Sequence, residues 1–475
     1  MGRDDGEMRK DDPELTSSLA RLLSGEGSGP IELECPCGRR HVVPIEALVN
    51  RAGALEQVAG FLERRGVRQV WVIADENTDA AAGSRLRQLL VRAGVRVASS
   101  VLPAVPAVHP DEKALGRLAF DLRSNASFIV AAGAGTITDL ARFFASRLGR
   151  PFIAVPTAPS VDGFTSSVAA MVAGGVRASY PAVPPVAVFA DPEVYAAAPR
   201  RLIASGWAEL AGKWTALADW ALAAVLNGEY RCSLATKLTE EAAALIRERR
   251  DGSPSTAAQN DSPCPAWHEP GRVQRLMDGL LKVGVAMLMV GSSRPASGAE
   301  HHLAHYWEMR ALAEGAVEPS LHGERVGVAS VEVLRLYHRL LASDPGAWPG
   351  PVSPSPQEHE GAVRRRFGRL ADRLVAEQRT WPDGPWRLFG RSRAELSRRR
   401  HFIRSRWETI VRTVGPYLPE PENVAEHLAQ AGAPASVVAL PEVAQPVEAC
   451  LVAARELRPR YTVLSLATEA GMLAC

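Results

Sequence analysis

The sequence predicts a doubly wound α/β domain with a parallel sheet, followed by a helical domain. Two observations support this fold class. Short apolar runs alternate with helical patterns up to about residue 200, which is typical of strands buried between helices. Beyond that point, strand-like runs largely give way to apolar residues with the 3.6-residue period of core-facing helices. We therefore expect domains over residues 51–200 and 201–475, preceded by an N-terminal extension over residues 1–50.

The strands of the first half are indicated by apolar runs between polar residues. A helix-like stretch from Ala52 to Arg65 ends before Gly66, and the run Val70–Ala74 then resembles a buried parallel strand. Further strands are expected within VRVASSVLP, SFIVAAGAGT, PFIAVPTAP and VPPVAVFADP. The second half contains helical segments such as ELAGKWTALADWALAAVL. It also has two stretches rich in Pro and Ser, 251–271 and 343–361, which we interpret as surface insertions.

Composition excludes several classes of protein. The 475 residues carry a formal net charge of only +2, which gives no overall attraction to nucleic acid or to anionic membranes. No apolar run reaches the roughly 20 residues of a membrane span, and the charged N-terminus does not resemble a secretory signal. Six scattered cysteines do not form a disulfide framework in a chain of this length. We expect a cytoplasmic protein with reduced thiols.

Two polar loops follow predicted strands. GAGTITD, residues 133–139, opens a helix, where glycines and free N–H groups suit a pyrophosphate, although an ordinary tight turn fits as well. Its spacing is not G-x-G-x-x-G. PTAPSVDGFTSSVAA, residues 156–170, lies where α/β folds bind ligands. A loop that only caps the next helix through Asp162 or Thr165 is the alternative.

Clustered histidines indicate a metal site in the second half. His301 and His305 are four residues apart and share one helix face, whereas His302 is turned away by roughly 100°. His322 precedes Gly323 and could complete a site from a neighbouring turn. A zincin protease would need Glu where His302 stands, so that class is excluded.

Two further motifs have competing interpretations. Glu209 and Lys213, four apart in SGWAELAGKW, could be a surface ion pair, but their neighbours are mostly apolar. CPCGRRH offers Cys35, Cys37 and His41, one ligand fewer than a structural zinc site needs, so we expect a turn without metal.

Together, these motifs resemble the superfamily of iron-containing alcohol dehydrogenases and dehydroquinate synthases, and within it the bacterial sn-glycerol-1-phosphate dehydrogenases. The resembling segments extend from about residue 30 to the C-terminus. They are CPCGRRH, VIADENT, GAGTITDLARF, VPTAPSVDGFTSSVAAM, GKWTALADW, GSSRPASGAEHHLAHYWEM, HGERVGV and RPRYTVLSLA. The resemblance implies a dehydroquinate synthase-like fold, with a Rossmann-like nucleotide-binding α/β domain, an all-α metal-binding domain and the active site between them.

The resemblance also implies ligand-binding residues. NAD or NADP would be bound by Asp75, Asn77, Gly133, Gly135, Thr136, Asp139, Thr157, Ser160, Asp162 and Ser166. One divalent metal ion, expected to be zinc with nickel or iron as alternatives, would be bound by Glu209, His301 and His322. The catalytic residues would be His305, Asp162 and Lys213, with His305 relaying a proton. The substrate phosphate needs cationic and N–H donors, for which Lys213 and Arg294, with Ser292 and Ser293, are candidates.

One residue departs from the dehydrogenase pattern. Glu209, in GWAE, replaces the aspartate of the dehydrogenase GxGD motif and resembles the metal carboxylate of dehydroquinate synthases. The resemblance implies metal-dependent interconversion of dihydroxyacetone phosphate and sn-glycerol 1-phosphate, or a close polyol phosphate, by a homo-oligomer, expected to be a dimer. The alternatives are a sugar-phosphate cyclase and a non-catalytic nucleotide-binding homologue.

Overall fold

A computed structural model describes most of the chain. The described residues are 19, 21–25, 29–122, 126–174, 176–247, 265–316, 320–349, 353–381 and 389–473. The strands are β1 (Ile31–Glu34), β2 (Arg40–Val43), β3 (Ala47–Asn50), β4 (Gln69–Asp75), β5 (Arg96–Leu102), β6 (Phe128–Ala132), β7 (Phe152–Val155), β8 (Val168–Ala173), β9 (Val176–Pro181) and β10 (Ala187–Ala190). Six of them form a parallel sheet in the order β3-β10-β7-β6-β4-β5, and β1–β2 and β8–β9 are antiparallel hairpins.

Burial on both faces explains the parallel sheet. Every residue of β6, β7 and β10 is buried, as are the five central residues of β4. Such strands need helices on each side, because only the removal of both faces from water stabilises apolar side chains throughout. The helices of this half are α1 (Ala54–Arg64), α2 (Ser84–Arg92), α3 (Glu112–Asp121) and α4 (Gly135–Leu148). The α/β expectation is therefore confirmed.

The remainder of the described chain is helical, as expected. Its helices are α5 (Arg200–Asn227), α6 (Ser233–Ala244), α7 (Pro270–Val290), α8 (Ala299–Ala313), α9 (His322–Leu341), α10 (Pro356–Phe367), α11 (Ala371–Arg379), α12 (Arg393–Ser405), α13 (Trp407–Val414), α14 (Pro421–Gln430), α15 (Val447–Arg455) and α16 (Val463–Glu469). Helix α5 is buried on all sides from Ile203 to Ala223, because other helices and the sheet domain surround it.

A backbone contact joins the two halves. A Cβ atom on Gly206 of α5 would lie 1.8 Å from the carbonyl oxygen of Pro159, so only glycine permits this approach. The loop after β7 therefore lies directly on α5, and the residues that follow Pro159 face the next turns of that helix.

The structure differs from the sequence expectations in three places. Strand β3 belongs to the large sheet although it lies within the predicted extension 1–50. The hairpin β8–β9 was not anticipated. The predicted insertions also contain core residues: Trp267 packs edge-on against Trp207, with ring centroids 4.8 Å apart, and Trp348 is likewise buried. Their Pro- and Ser-rich surroundings concealed these single aromatic residues, and residues 248–264 and 350–352 lie outside the described chain.

The described helices include none that is both long and apolar enough to cross a membrane.

Candidate active site

Three residues from three helices meet at the centre of the molecule. Glu209 lies on α5, His301 on α8 and His322 at the start of α9. One potential ligand atom from each lies within 4.8 Å of the others. The Nε2 atom of His301 is 3.3 Å from Oε1 of Glu209, and Nε2 of His322 is 3.6 Å from Oε2 of Glu209. These are the three residues that the resemblance implies as metal ligands.

A second carboxylate orients His301. Nδ1 of His301 lies 2.8 Å from Oε1 of the fully buried Glu300. Glu300 in turn accepts hydrogen bonds from the Thr215 hydroxyl at 2.7 Å and from the Gly298 backbone N–H at 2.6 Å. With Nδ1 bonded to a carboxylate, Nε2 of His301 faces Glu209, as in carboxylate–histidine–metal sites.

Lys213 lies between two carboxylates, those of Glu209 and Asp162. Its Nζ atom lies 2.6 Å from Oε1 of Glu209 and 2.7 Å from Oδ2 of Asp162, and it donates to the Ala296 carbonyl at 3.1 Å. The side chains of Lys213 and Glu209 are completely buried, so the pair is not the surface ion pair that the spacing allowed. Asp162 bonds Lys213 and makes no side-chain cap for the turn that follows it, which disfavours the capping alternative.

The charges of this cluster are shifted by burial and by each other. Burial alone would raise the pKa of Glu209, but Lys213 and the neighbouring histidines hold the pKa well below its usual value. Burial alone would lower the pKa of Lys213, but Asp162 and Glu209 raise it. Burial likewise opposes protonation of His301, yet Glu209 raises its pKa to about 9. Glu209 is therefore an anion that attracts cationic neighbours.

The donor set fits a divalent metal ion. Oε2 of Glu209 and Nδ1 of His322 are buried and have no hydrogen-bond partner in the part of the chain that the structure describes. Burial lowers the pKa of His322 to about 3, so this imidazole is neutral and the lone pair of one ring nitrogen is available to a metal ion. One carboxylate and two imidazoles suit zinc, nickel or iron, and leave a coordination position for water or substrate.

The other two histidines of the cluster differ in position. The ring of His305 lies 5.9 Å from that of His301 and stacks 5.5 Å from that of His322. Burial, followed by the charge of Arg458, holds the pKa of His305 well below its usual value. His302 is buried on the opposite side and belongs to no ligand group among the described residues, as the helical spacing predicted.

These groups adjoin a cavity of about 650 Å³. The cavity extends from the carboxyl ends of the sheet strands to helices α8 and α9. Among the predicted site residues, it is lined by Asp75, Asn77, Gly135, Thr136, Asp139, Ser160, Asp162, Ser166, Ser293, His301, His305 and His322. The predicted residues that do not line it are Gly133, Thr157, Glu209, Lys213, Ser292 and Arg294. These six residues therefore lie behind the cavity wall.

One side of the cavity is formed by the start of α4. Ala134, Gly135 and Thr136 bring backbone N–H groups to the cavity wall, which is the arrangement that binds phosphates. The carboxylate of Asp139 is already paired with an arginine, because its Oδ1 atom accepts a hydrogen bond from Nη1 of Arg142 at 2.6 Å. Asp75 caps the short turn after β4 by accepting from the Thr78 N–H at 2.9 Å.

Two arginines that were not predicted, Arg458 and Arg460, line the opposite side of the cavity, whereas the predicted Arg294 does not. Arg294 is held by both carboxylate oxygens of Glu229 and by the Tyr461 carbonyl, behind the cavity wall. Arg460 instead lines the cavity and donates to Oγ of Ser293 at 3.2 Å. Arg458 also lines the cavity. Their RPRY segment was part of the resemblance, but nothing distinguished it in an arginine-rich chain.

Comparisons with known proteins agree with this architecture. The family model described as "Iron-containing alcohol dehydrogenase" matches residues 49–199. A Bacillus licheniformis protein named glycerol-1-phosphate dehydrogenase (NAD(P)+) is 32% identical over 443 residues, which is 92% of this chain and 93% of that protein. One with the same name from Halalkalibacterium halodurans is 38% identical over 307 residues, 64% of this chain and 74% of that protein.

A solved structure supports the fold. Maleylacetate reductase from Rhizobium sp. strain MTP-10005 superposes with a TM-score of 0.52 at 16% identity, covering 91% of this chain and 96% of that one. At this identity the similarity concerns the fold alone. The identity to the two dehydrogenases is higher, at 32% and 38%, and it extends over nearly the whole length of one of them. The chain therefore belongs to the glycerol-1-phosphate dehydrogenase family of the iron-containing alcohol dehydrogenases.

Proposed function

We propose that this protein is a metal-dependent, NAD(P)-linked dehydrogenase that interconverts dihydroxyacetone phosphate and sn-glycerol 1-phosphate. The observation that carries the proposal is the convergence of Glu209, His301 and His322 beside a cavity that also reaches the N-terminus of α4. The names of the two relatives support the choice of substrate. We expect the protein to act in the cytoplasm. We also expect it to be a homodimer, and sedimentation analysis can test this oligomeric state.

Glu209, His301 and His322 would hold the metal ion, with zinc as the proposed occupant and nickel or iron as alternative results of elemental analysis. When bound, the ion would supply a Lewis acid for the substrate C2 oxygen, and the nicotinamide would supply the hydride acceptor. Lys213 and Asp162 position the Glu209 carboxylate from behind, and Glu300 fixes the His301 ring. This network keeps the ligands oriented before the substrate arrives.

His305 is suited to move the hydroxyl proton of the substrate. Its imidazole is neutral, because burial and Arg458 hold its pKa well below the usual value. It lines the cavity beside His301 and His322, and its buried Nδ1 atom has no hydrogen-bond partner among the described residues. A neutral imidazole can accept a proton in alcohol oxidation and return it in ketone reduction.

The substrate phosphate would be bound by arginines. Arg458 and Arg460 line the cavity, and Ser293 adds a hydroxyl between Arg460 and the open space. Guanidinium groups bind phosphate oxygens through charge-assisted hydrogen bonds. Arg294 and Ser292, which lie outside the lining, would support this site indirectly. Arg294 does so through Glu229 and the Tyr461 carbonyl. The pyrophosphate of the cofactor would lie at the opposite end, on α4.

A matched pair of histidine variants tests the proposal. His301→Ala removes a proposed ligand, whereas His302→Ala removes an equally buried neighbour that faces away from the cluster. We expect His301→Ala to lose the active-site metal and NAD(P)H formation with sn-glycerol 1-phosphate, and His302→Ala to retain both. Equal metal loss in the two variants would contradict the ligand assignment. Consumption of a heptulose phosphate without net NAD(P)H would indicate a cyclase instead.

A further inference from the structure

A second cluster of metal-binding side chains lies outside the cavity. Cys35 and Cys37 lie in the turn of the β1–β2 hairpin, and His41 lies on β2. The fold adds Cys232, which immediately precedes α6 and is 197 residues from Cys35 in the sequence. One ligand atom from each of the four lies within 4.8 Å of the others. The sequence pattern had supplied only three ligands, and the fourth depends on the tertiary fold.

The spacing of the four ligand atoms matches a tetrahedral site. Sγ of Cys35 lies 3.7 Å from Sγ of Cys232, and Nε2 of His41 lies 3.3 Å from Sγ of both Cys37 and Cys232. Zinc bonds of about 2.3 Å to sulfur and about 2.0 Å to nitrogen place neighbouring ligands about 3.5–3.8 Å apart in a tetrahedron. The side chains therefore already stand close to the separations that a zinc ion requires.

The surroundings orient the histidine and bring hydrogen-bond donors to two of the sulfurs. Nδ1 of His41 lies 2.6 Å from the Met289 carbonyl oxygen, so it carries the proton and donates, leaving the Nε2 lone pair to face the sulfurs. Sγ of Cys232 accepts a hydrogen bond from the Ala235 N–H at 3.5 Å at the N-terminus of α6. The Tyr230 hydroxyl lies 3.0 Å from Sγ of Cys37 and can donate to it.

Burial indicates a structural rather than a catalytic role. His41 and Cys232 are almost completely buried, Cys35 is 8% exposed, and none of the four residues lines the active-site cavity. Four protein ligands leave no coordination position for a substrate. The cluster instead joins the N-terminal hairpin to the start of α6 and, through Met289, to the end of α7.

We propose that Cys35, Cys37, His41 and Cys232 form a structural zinc site, separate from the active-site metal. The bound ion attaches the N-terminal hairpin to the helical domain, although the two are far apart in the sequence. The free energy of zinc binding then adds to the free energy of folding. Its loss loosens this attachment but leaves the active-site ligands in place.

Zinc content of the full chain in the His301→Ala background tests the proposal, because that variant reports the second site by itself. Elemental analysis should find close to one zinc ion per chain, and Cys37→Ser should reduce it to background. The matched control is Cys450→Ser, since Cys450 is likewise a free cysteine but lies outside the cluster. It should keep the zinc. His41→Ala should lose zinc, whereas His41→Cys should retain it as a four-cysteine site, which separates ligand loss from misfolding.

Cobalt gives a readout that is independent of activity. After replacement of zinc by Co²⁺, the His301→Ala protein should show thiolate-to-cobalt charge-transfer absorption, absent in Cys37→Ser and unchanged in Cys450→Ser. Three results would overturn the proposal: a zinc content that does not depend on Cys37 and Cys232, a folded protein without the cobalt–thiolate band, or a Cys35–Cys232 disulfide found by mass spectrometry in the freshly purified protein.

Discussion

At the scale of single residues, the site depends on how Glu209 is held. The four-residue spacing predicted its contact with Lys213, because residues i and i+4 face each other on a helix. The contact between Lys213 and Asp162 could not be predicted, since those residues come from different domains and meet only where Gly206 admits the loop onto α5. For the same reason, the sequence could not predict the contacts of Cys232, because its partners lie on a hairpin that is distant in the sequence.

Glu209→Gln should abolish binding of the active-site metal ion and activity together. An amide is a poorer ligand for a divalent ion, and the substitution also weakens one of the two ion pairs of Lys213. Because Asp162 still neutralises that lysine, we expect a loss of about 1–3 kcal/mol in unfolding free energy rather than complete unfolding. Glu209→Asp should retain part of both properties. Metal content by elemental analysis and urea denaturation measure these effects, and a Glu209→Gln protein with full metal content contradicts the assignment.

The raised pKa of His301 predicts a pH-dependent stability of the metal-free protein. The ordinary histidine value is 6.5, and Glu209 raises the folded-state pKa to about 9. Stability from this pair is therefore complete below pH 6.5 and is lost as the pH rises through about 9. Chelator-treated wild type should lose thermal stability over this range more steeply than His301→Gln treated identically. Parallel curves for the two proteins would show that His301 does not carry the proton.

At the scale of elements, hydrophobic patterning predicted most of the sheet. Runs such as those of β4 and β6 are apolar throughout because both faces are covered, and this is visible in a sequence. Strand β3 was missed because it has only four residues and follows a polar segment. The β8–β9 hairpin was missed because its strands are only partly buried. The sequence of β8, VAAMVA, also does not alternate between apolar and polar residues.

The start of α4 should control cofactor affinity. A side chain at Gly135 would occupy the cavity wall where a pyrophosphate approaches, and its Cβ atom would also lie 3.0 Å from Cγ2 of Val161. We expect Gly135→Val to weaken NAD(P) binding by at least about tenfold, equivalent to 1.4 kcal/mol, with metal content unchanged. Val161→Ala and the double variant provide the control for the contact with Val161. Fluorescence titration showing unchanged affinity in Gly135→Val would contradict this assignment.

At the scale of the whole molecule, the order of an α/β and a helical half followed from the sequence, but their detailed boundaries did not. Composition alone marked 251–271 as a surface insertion, although Trp267 packs against Trp207 in the core and its carbonyl accepts from the Trp207 indole at 3.1 Å. A single buried aromatic residue leaves no periodic signal, so only the fold reveals it.

Deleting part of this region should have little effect, whereas substituting Trp267 should destabilise the protein. Deleting residues 253–263, which keeps Trp267, should leave turnover near wild type, because halving the length of a connecting segment changes the free energy of its closure by only about 0.6 kcal/mol. Trp267→Ala should lower the unfolding free energy by about 3–5 kcal/mol, through lost burial and a new cavity. Denaturant titration compares the two variants. An inactive but folded deletion variant would show that this segment contributes to the active site.

The stereochemistry of the substrate tests the central claim most directly. Purified protein loaded with zinc or nickel would be incubated with NAD+ or NADP+ and with either sn-glycerol 1-phosphate or its mirror image, sn-glycerol 3-phosphate, while absorbance reports the reduced cofactor. We predict steady NAD(P)H formation with the 1-phosphate alone, lost after chelation and restored by metal. Equal rates with both enantiomers, or no reduced cofactor with the 1-phosphate in the metal-loaded protein, would contradict the account.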